Sequence, residues 1–148
     1  MIADPLGIIL DVDRLKELVA IAFDKVARPD RGEIAPHKCC ECDEIASEFS
    51  RYEATDVPLE ILAKHCWDLP LFSAEAKRYF LPAWIFSSID DPASGFTDAL
   101  LMNLEADHRN DGYTLPQRQA IQRYLEYVSP HVGEFSRTHL NNATARWK

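Results

Sequence analysis

The segment YTLPQRQAIQRYLEYVSP, residues 113–130, carries the clearest helix pattern in the chain. Thr114 and Gln117 match a capping box, in which two side chains satisfy backbone N–H groups at the start of a helix. Pro116 falls in the first turn, where its missing N–H costs nothing, and Pro130 follows the expected end. The apolar residues between them recur at steps of three and four, which predicts an amphipathic helix.

The same spacing recurs along most of the remaining chain. Pro82 lies inside one such segment, where its ring and its missing N–H are expected to kink or split the helix. No segment alternates between apolar and polar residues well enough to predict a strand. The sequence therefore predicts an all-α fold, a compact single-domain bundle of about six helices over residues 1–148, with an N-terminal arm at residues 1–12 and a C-terminal helix within residues 130–148. Other helices are predicted at about residues 13–26, 43–52, 73–90 and 96–105, one is predicted after a cap at Thr55 or Asp56, and the last presents Phe135, Leu140, Ala143 and Trp147.

The composition predicts a hydrophobic core that is stable without disulfides or a bound metal. Apolar residues make up 47% of 148 residues, so a bound metal would be an addition to the fold rather than its cause. The longest apolar run, YFLPAWIF at residues 79–86, is interrupted by a proline and is too short to span a membrane. The N-terminus lacks the basic region and apolar stretch of a signal peptide. A cytoplasmic protein with reduced thiols is therefore expected.

The charge balance narrows the choice of partner. The formal net charge is −8, from 24 acidic and 16 basic side chains. Such a surface repels phosphate backbones, and no compact Lys/Arg run offsets it, so nucleic acid is not an expected partner. A basic protein would instead be attracted, and an immunity-type protein that neutralises a toxin is one concrete form of this hypothesis. The candidate contacts lie in or beside predicted loops and are Asp90, Asp91, Asp107 and Asp111.

The octet HKCCECDE, residues 37–44, contains three of the four cysteines. Cys39 and Cys42 have the C-x-x-C spacing of a zinc-ligand pair. A tetrahedral site needs two more ligands, and a distant helix is expected to direct only one side chain at the ion. The predicted ligand set is His37, Cys39, Cys42 and Cys66. Zinc is the one cofactor that the sequence suggests, in a structural or regulatory role.

Two other interpretations of the octet stay open. Its C-x-x-C thiols are predicted just ahead of a helix start, where the helix dipole stabilises thiolates and favours redox or nucleophilic chemistry. Three adjacent carboxylates, Glu41, Asp43 and Glu44, oppose thiolate formation, and the strands of a thioredoxin-like fold are lacking. The cysteines can also serve as small apolar side chains that fill the start of a helix.

No catalytic residue is predicted. The sequence contains neither a G-x-S-x-G motif nor a glycine-rich phosphate loop. Glu44 and Glu48 are one helical turn apart and could hold a cation, although a solvated acidic face is the simpler interpretation. An enzyme is therefore less expected than a binding protein, and Cys42 would be the first nucleophile to test.

Three segments, CCECDEIASEF, LPLFSAEAKRYFLPAWI and YTLPQRQAIQRYLEYV, carry further motifs. These are C-x-E-C before a helix, Tyr-x-Leu-Pro inside an aromatic helix and Thr-x-x-Gln-Arg at a helix start. Together, over about residues 21–128, they resemble a family of small uncharacterised bacterial proteins, a domain of unknown function. The resemblance implies a bacterial cytoplasmic protein, and it assigns no activity.

Two functions therefore remain open. The first is a non-enzymatic acidic protein that binds a basic protein partner, and the second is a zinc-binding module centred on Cys39 and Cys42. The first predicts that Cys39→Ser and Cys42→Ser hardly change stability. The second predicts that the free energy of unfolding falls by several kcal/mol when either ligand is removed.

Overall fold

The computed structural model describes residues 12–106 and 112–148. Within these ranges the chain forms seven α-helices and no β-strand, which confirms the prediction of an all-α fold of about six helices. All of the predicted N-terminal arm except Val12 lies outside them. The helices are α1 (Val12–Phe23), α2 (Cys40–Phe49), α3 (Leu59–Lys64), α4 (Ala74–Asp90), α5 (Gly95–Ala106), α6 (Leu115–Val128) and α7 (Glu134–Arg146).

Helix α4 is the centre of the bundle. It packs against α1, α3, α5 and α6, and nine of its 17 residues are buried, which is why its apolar residues do not form a single stripe. Pro82 lies in its middle and is itself buried. The helix continues through this proline to Asp90, so it is not split. The loss of one backbone hydrogen bond at this turn is offset by packing on all sides.

An aromatic cluster joins α2 to α4. The ring of Phe49, the last residue of α2, lies 5.0 Å from Phe72, 5.2 Å from Phe80 and 5.7 Å from Trp84, measured between ring centroids. Phe49, Phe80 and Trp84 are almost completely buried. Contacts of this kind contribute about 0.5–1.5 kcal/mol per pair beyond the area they bury. They fix α2, and with it the cysteine octet, against the centre of the bundle.

Several predicted boundaries are confirmed and others are wrong. The capping box of α6 is present, with Thr114 and Gln117 each accepting a backbone N–H of the other. Helix α2 begins at Cys40 rather than near residue 43, and the N-cap of α3 is Pro58 rather than Thr55 or Asp56.

In α7, the predicted inner residues Leu140, Ala143 and Trp147 are buried, but Phe135 is 75% exposed. The next residue, Ser136, faces inward instead and donates a hydrogen bond to Asp98 Oδ1 at 2.5 Å. A helix turns by about 100° per residue, so this contact directs Phe135 outward.

Crossing a bilayer requires a longer and more apolar helix than any found in the described ranges.

Candidate metal centre

Helix α2 begins with a cysteine cap. Cys39 has an extended backbone (φ −156°, ψ 165°) and directly precedes the first helical residue. Its sulfur accepts a hydrogen bond from the backbone N–H of Cys42 at 3.3 Å. Because the first N–H groups of a helix have no partner within the helix, this sulfur takes the place of the oxygen that Ser or Asp supplies at other N-caps. The cap therefore holds the Cys39 sulfur over the first turn of α2.

Three predicted zinc ligands meet at this helix entrance. A ring nitrogen of His37 and the sulfur atoms of Cys39 and Cys42 lie within 4.8 Å of one another. They run from the surface inward, because His37 is exposed, Cys39 is half-buried and Cys42 is fully buried. The next cysteine, Cys40, is exposed and is not part of the group. We call His37, Cys39 and Cys42 the α2 centre.

The two thiols of the α2 centre differ in acidity. A hydrogen bond with His37, and others from the thiol and backbone N–H of Cys42, lower the pKa of Cys39. The pKa of Cys42 is raised to about 11 because its thiol hydrogen-bonds to Cys39, because it is buried, and because the charges of Cys39, Glu41 and Asp43 disfavour a second thiolate. The pair therefore has the more acidic thiol near the surface and the less acidic thiol beneath it.

Cys66, the fourth predicted ligand, lies elsewhere. No further His, Cys, Asp or Glu joins the α2 centre within residues 12–106 and 112–148. Cys66 follows α3 and lines a cavity together with Ala99 and Asn103 of α5. Its carbonyl oxygen accepts a hydrogen bond from Trp84 Nε1 at 3.2 Å, which holds this segment against α4. The four-ligand set predicted from the sequence is thus reduced to three.

The structure describes two of the four aspartates that are predicted to contact a partner, Asp90 and Asp91. Asp90 Oδ1 forms an ion pair with Lys16 Nζ at 2.5 Å, which links α4 to α1. Asp91 is the exposed C-cap residue of α4. Asp107 and Asp111 lie outside the described residues. Of this set, Asp90 already has an intramolecular partner, and the partner contact itself stays a prediction.

A second polar cluster beside α2 is not evident from the sequence. The side chain of His65 is 3% exposed, with Nε2 2.5 Å from Glu48 Oε1 and Nδ1 2.8 Å from Asp68 Oδ2. Lys64 Nζ donates to Glu44 Oε2 at 2.7 Å and to Glu48 Oε2 at 3.2 Å. The spacing of Glu44 and Glu48 suggested a cation, and the group between them is the Lys64 ammonium. Glu44, Glu48 and His65 offer ligand atoms within 4.8 Å of one another, but Lys64 already pairs with both glutamates, and we interpret the cluster as an intramolecular ion-pair network.

No protein-family model, curated protein or solved structure matches the chain. The resemblance to a bacterial family of unknown function therefore stays a prediction. The geometry at the entrance of α2 is the observation from which a function can be argued.

Proposed function

We propose that the protein binds one zinc ion at the α2 centre. The observation that carries the proposal is the mutual approach of the three ligand atoms, within 4.8 Å. Around tetrahedral zinc, with Zn–S near 2.3 Å and Zn–N near 2.0 Å, neighbouring ligand atoms are about 3.5–3.8 Å apart. Small side-chain rotations close the difference. Two thiolates and one imidazole favour zinc over magnesium or calcium, which prefer oxygen ligands.

The three protein ligands found among residues 12–106 and 112–148 leave one coordination position of a tetrahedral zinc ion open. An open position of this kind accepts water or a donor atom from another molecule. Structural zinc sites are normally closed by a fourth protein ligand. The three-ligand set therefore favours a regulatory role, in which zinc binds and leaves, over a purely structural one.

A cytoplasmic location is part of the proposal. All four cysteines are free thiols, and zinc binding requires them to stay reduced. The bacterial origin rests on the sequence resemblance alone.

The first experiment measures the zinc content of the full-length protein, purified under reducing conditions and equilibrated with a buffered micromolar zinc concentration. Elemental analysis is expected to find one zinc per chain. Cys39→Ser and His37→Gln are expected to lower the zinc content strongly, and cobalt substitution is expected to produce thiolate-to-metal absorption. Cys40→Ser is the matched control, because Cys40 is adjacent, exposed and outside the centre.

Two outcomes would contradict the zinc proposal. One is the absence of bound zinc in the wild-type protein under these conditions. The other is equal zinc loss in Cys39→Ser and in the Cys40→Ser control, since the centre would then not account for the binding. A metal-free protein in which Cys39 and Cys42 form a reversible disulfide would support the redox interpretation instead.

Binding of a basic protein partner, in an immunity-type or other non-enzymatic role, is the second candidate. It is supported by the net charge of −8 and by the exposed carboxylates of Glu41 and Asp43, which flank Cys42 in the sequence. A pull-down from the native host is expected to recover one stoichiometric basic protein. Its retention is expected to fall in high salt and in a Glu41→Lys/Asp43→Lys variant. Recovery of no such protein would count against this function.

A further inference from the structure

A cavity of about 350 Å³ lies on the α5 side of the segment that follows α3. This volume falls in the range of small-molecule sites. The cavity is separate from the α2 centre, with which it shares no residue. The residues that matter for its chemistry are Cys66, Trp67, Leu69, Lys77, Met102 and Asn103.

The apolar part of the cavity is open to water. Trp67 is 55% exposed and Met102 is 37% exposed, whereas Leu69 at the base is 1% exposed. An indole, a thioether and an aliphatic side chain around one concavity form a surface that fits a flat apolar group. A ligand seated here removes this exposed apolar area from water.

Asn103 supplies a hydrogen-bond acceptor that the described part of the fold does not use. The residue is 7% exposed, and its Oδ1 atom has no hydrogen-bond partner among residues 12–106 and 112–148. Buried polar atoms are normally paired, so an unpaired one needs an explanation. Asn103 lines the cavity, but Oδ1 itself is buried, so presenting it to a ligand N–H or O–H requires the amide to turn about its terminal torsion, which is soft, and to exchange the places of Oδ1 and Nδ2.

Lys77 supplies a positive charge. Lys77 is one of the residues that line the cavity, and its ammonium group forms no hydrogen bond or ion pair with the described part of the chain. In this respect it differs from Lys16 and Lys64, which are both paired with carboxylates. A cation beside an apolar concavity is complementary to a ligand that joins an apolar body to a carboxylate.

We propose that this cavity binds a small apolar carboxylic acid that also carries one hydrogen-bond donor. The carboxylate pairs with Lys77 Nζ, the apolar body packs against Trp67, Leu69 and Met102, and the donor reaches Asn103 Oδ1. The thiol of Cys66, which lines the cavity, is protonated, because burial and the charges of Asp98 and Asp68 raise its pKa. The proposal does not depend on zinc binding at the α2 centre.

The test uses three matched probes and the full-length protein. Indole-3-acetate has the carboxylate, the apolar ring and an N–H donor, naphthalene-1-acetate lacks the N–H, and tryptamine replaces the carboxylate with an amine. Binding is followed by amide chemical shifts and by protection of Cys66 from alkylation in a Cys39→Ser/Cys40→Ser background. Indole-3-acetate is expected to bind saturably and to shift the amide signals of residues 66–69 and 99–106. Naphthalene-1-acetate is expected to bind several-fold more weakly, and tryptamine is expected not to bind.

Two variants complete the design. Lys77→Met keeps the aliphatic stem and is expected to weaken indole-3-acetate binding about tenfold or more, since a charge-assisted hydrogen bond is lost. Lys25→Met, at an exposed lysine outside the cavity, is the control and is expected to bind as the wild type does. Three outcomes would each overturn the proposal. The first is that neither indole-3-acetate nor naphthalene-1-acetate binds saturably at millimolar concentration. The others are that tryptamine binds as tightly as indole-3-acetate, or that Lys77→Met binds indole-3-acetate as tightly as the wild type does. If indole-3-acetate binding is unchanged after zinc chelation, this result does not depend on whether the α2 centre binds zinc.

Discussion

At the scale of single residues, Cys39 combines two roles that one substitution separates. In Cys39→Ser the hydroxyl oxygen still accepts the N–H of Cys42, because serine is a preferred N-cap residue. The metal-free variant is therefore expected to be as stable as the wild type or slightly more stable. Zinc at one hundred times its dissociation constant should stabilise the wild type by about 2.7 kcal/mol and the variant by much less. Urea denaturation with and without zinc measures both differences.

The control for this substitution is Cys40→Ser, which should keep the zinc-dependent gain in full. If zinc stabilises Cys39→Ser as much as the wild type, Cys39 is not a ligand. If the metal-free variant loses stability, the cap is not the sulfur–amide contact described above.

Glu48 gives a prediction about pH. The hydrogen bond with His65, followed by that from Lys64, lowers the pKa of the Glu48 carboxyl below its ordinary value of 4.5. A lowered carboxyl pKa stabilises the folded state fully above the unfolded-state value, and this stabilisation is lost as the pH falls through the lowered pKa. Glu48→Gln is therefore expected to be about 1–2 kcal/mol less stable than the wild type near pH 6, with a gap that narrows below pH 4.5.

Denaturation curves from pH 7 to pH 3 test this expectation. Glu53→Gln, at an exposed position between α2 and α3, is the matched control and should show a small difference at every pH. A gap between Glu48→Gln and the wild type that stays constant down to pH 3 would mean that the charge of Glu48 is not the source of the stabilisation.

At the scale of the elements, the start of α6 depends on its capping box. Thr114 Oγ1 accepts the backbone N–H of Gln117 at 3.3 Å, and Gln117 Oε1 accepts the backbone N–H of Thr114 at 3.0 Å. Thr114→Ala removes one of these contacts and is expected to cost about 1 kcal/mol, whereas Thr114→Ser should cost only a few tenths. Thermal unfolding of the two variants measures the difference. An equal loss in both would assign the effect to the threonine methyl group rather than to the cap.

The elements also show which parts of the fold can be predicted from sequence. The capping box at Thr114 can be predicted from the sequence because both of its contacts join residues three positions apart. The predicted start of α2 is wrong by about three residues because cysteine is not a common N-cap. The capping role of Cys39 is seen only in the structure, where its sulfur accepts the N–H of Cys42. The inward face of α7 was predicted from its apolar residues, but the outward direction of Phe135 depends on the contact between Ser136 and Asp98.

At the scale of the whole molecule, the fold should survive removal of zinc. The core consists of buried apolar side chains from all seven helices, and the α2 centre lies at its edge with His37 in solvent. Chelation is therefore expected to leave the helical circular dichroism signal unchanged at 25 °C, while lowering the midpoint of thermal unfolding. Loss of helical signal on chelation would contradict this expectation and would make the zinc structural rather than regulatory.

The sequence by itself determined the helical class of this protein, the capping box of α6, and the grouping of His37, Cys39 and Cys42. These features depend on residues at most five positions apart, so the covalent chain brings them together. Only the tertiary structure decided that Cys66 faces α5, that Lys64 occupies the position between Glu44 and Glu48, and that Asn103 and Lys77 line one cavity. The physical reason is that these contacts depend on how α2, α3 and α5 pack around α4, and packing is set by the shapes of all the buried side chains together rather than by any local spacing.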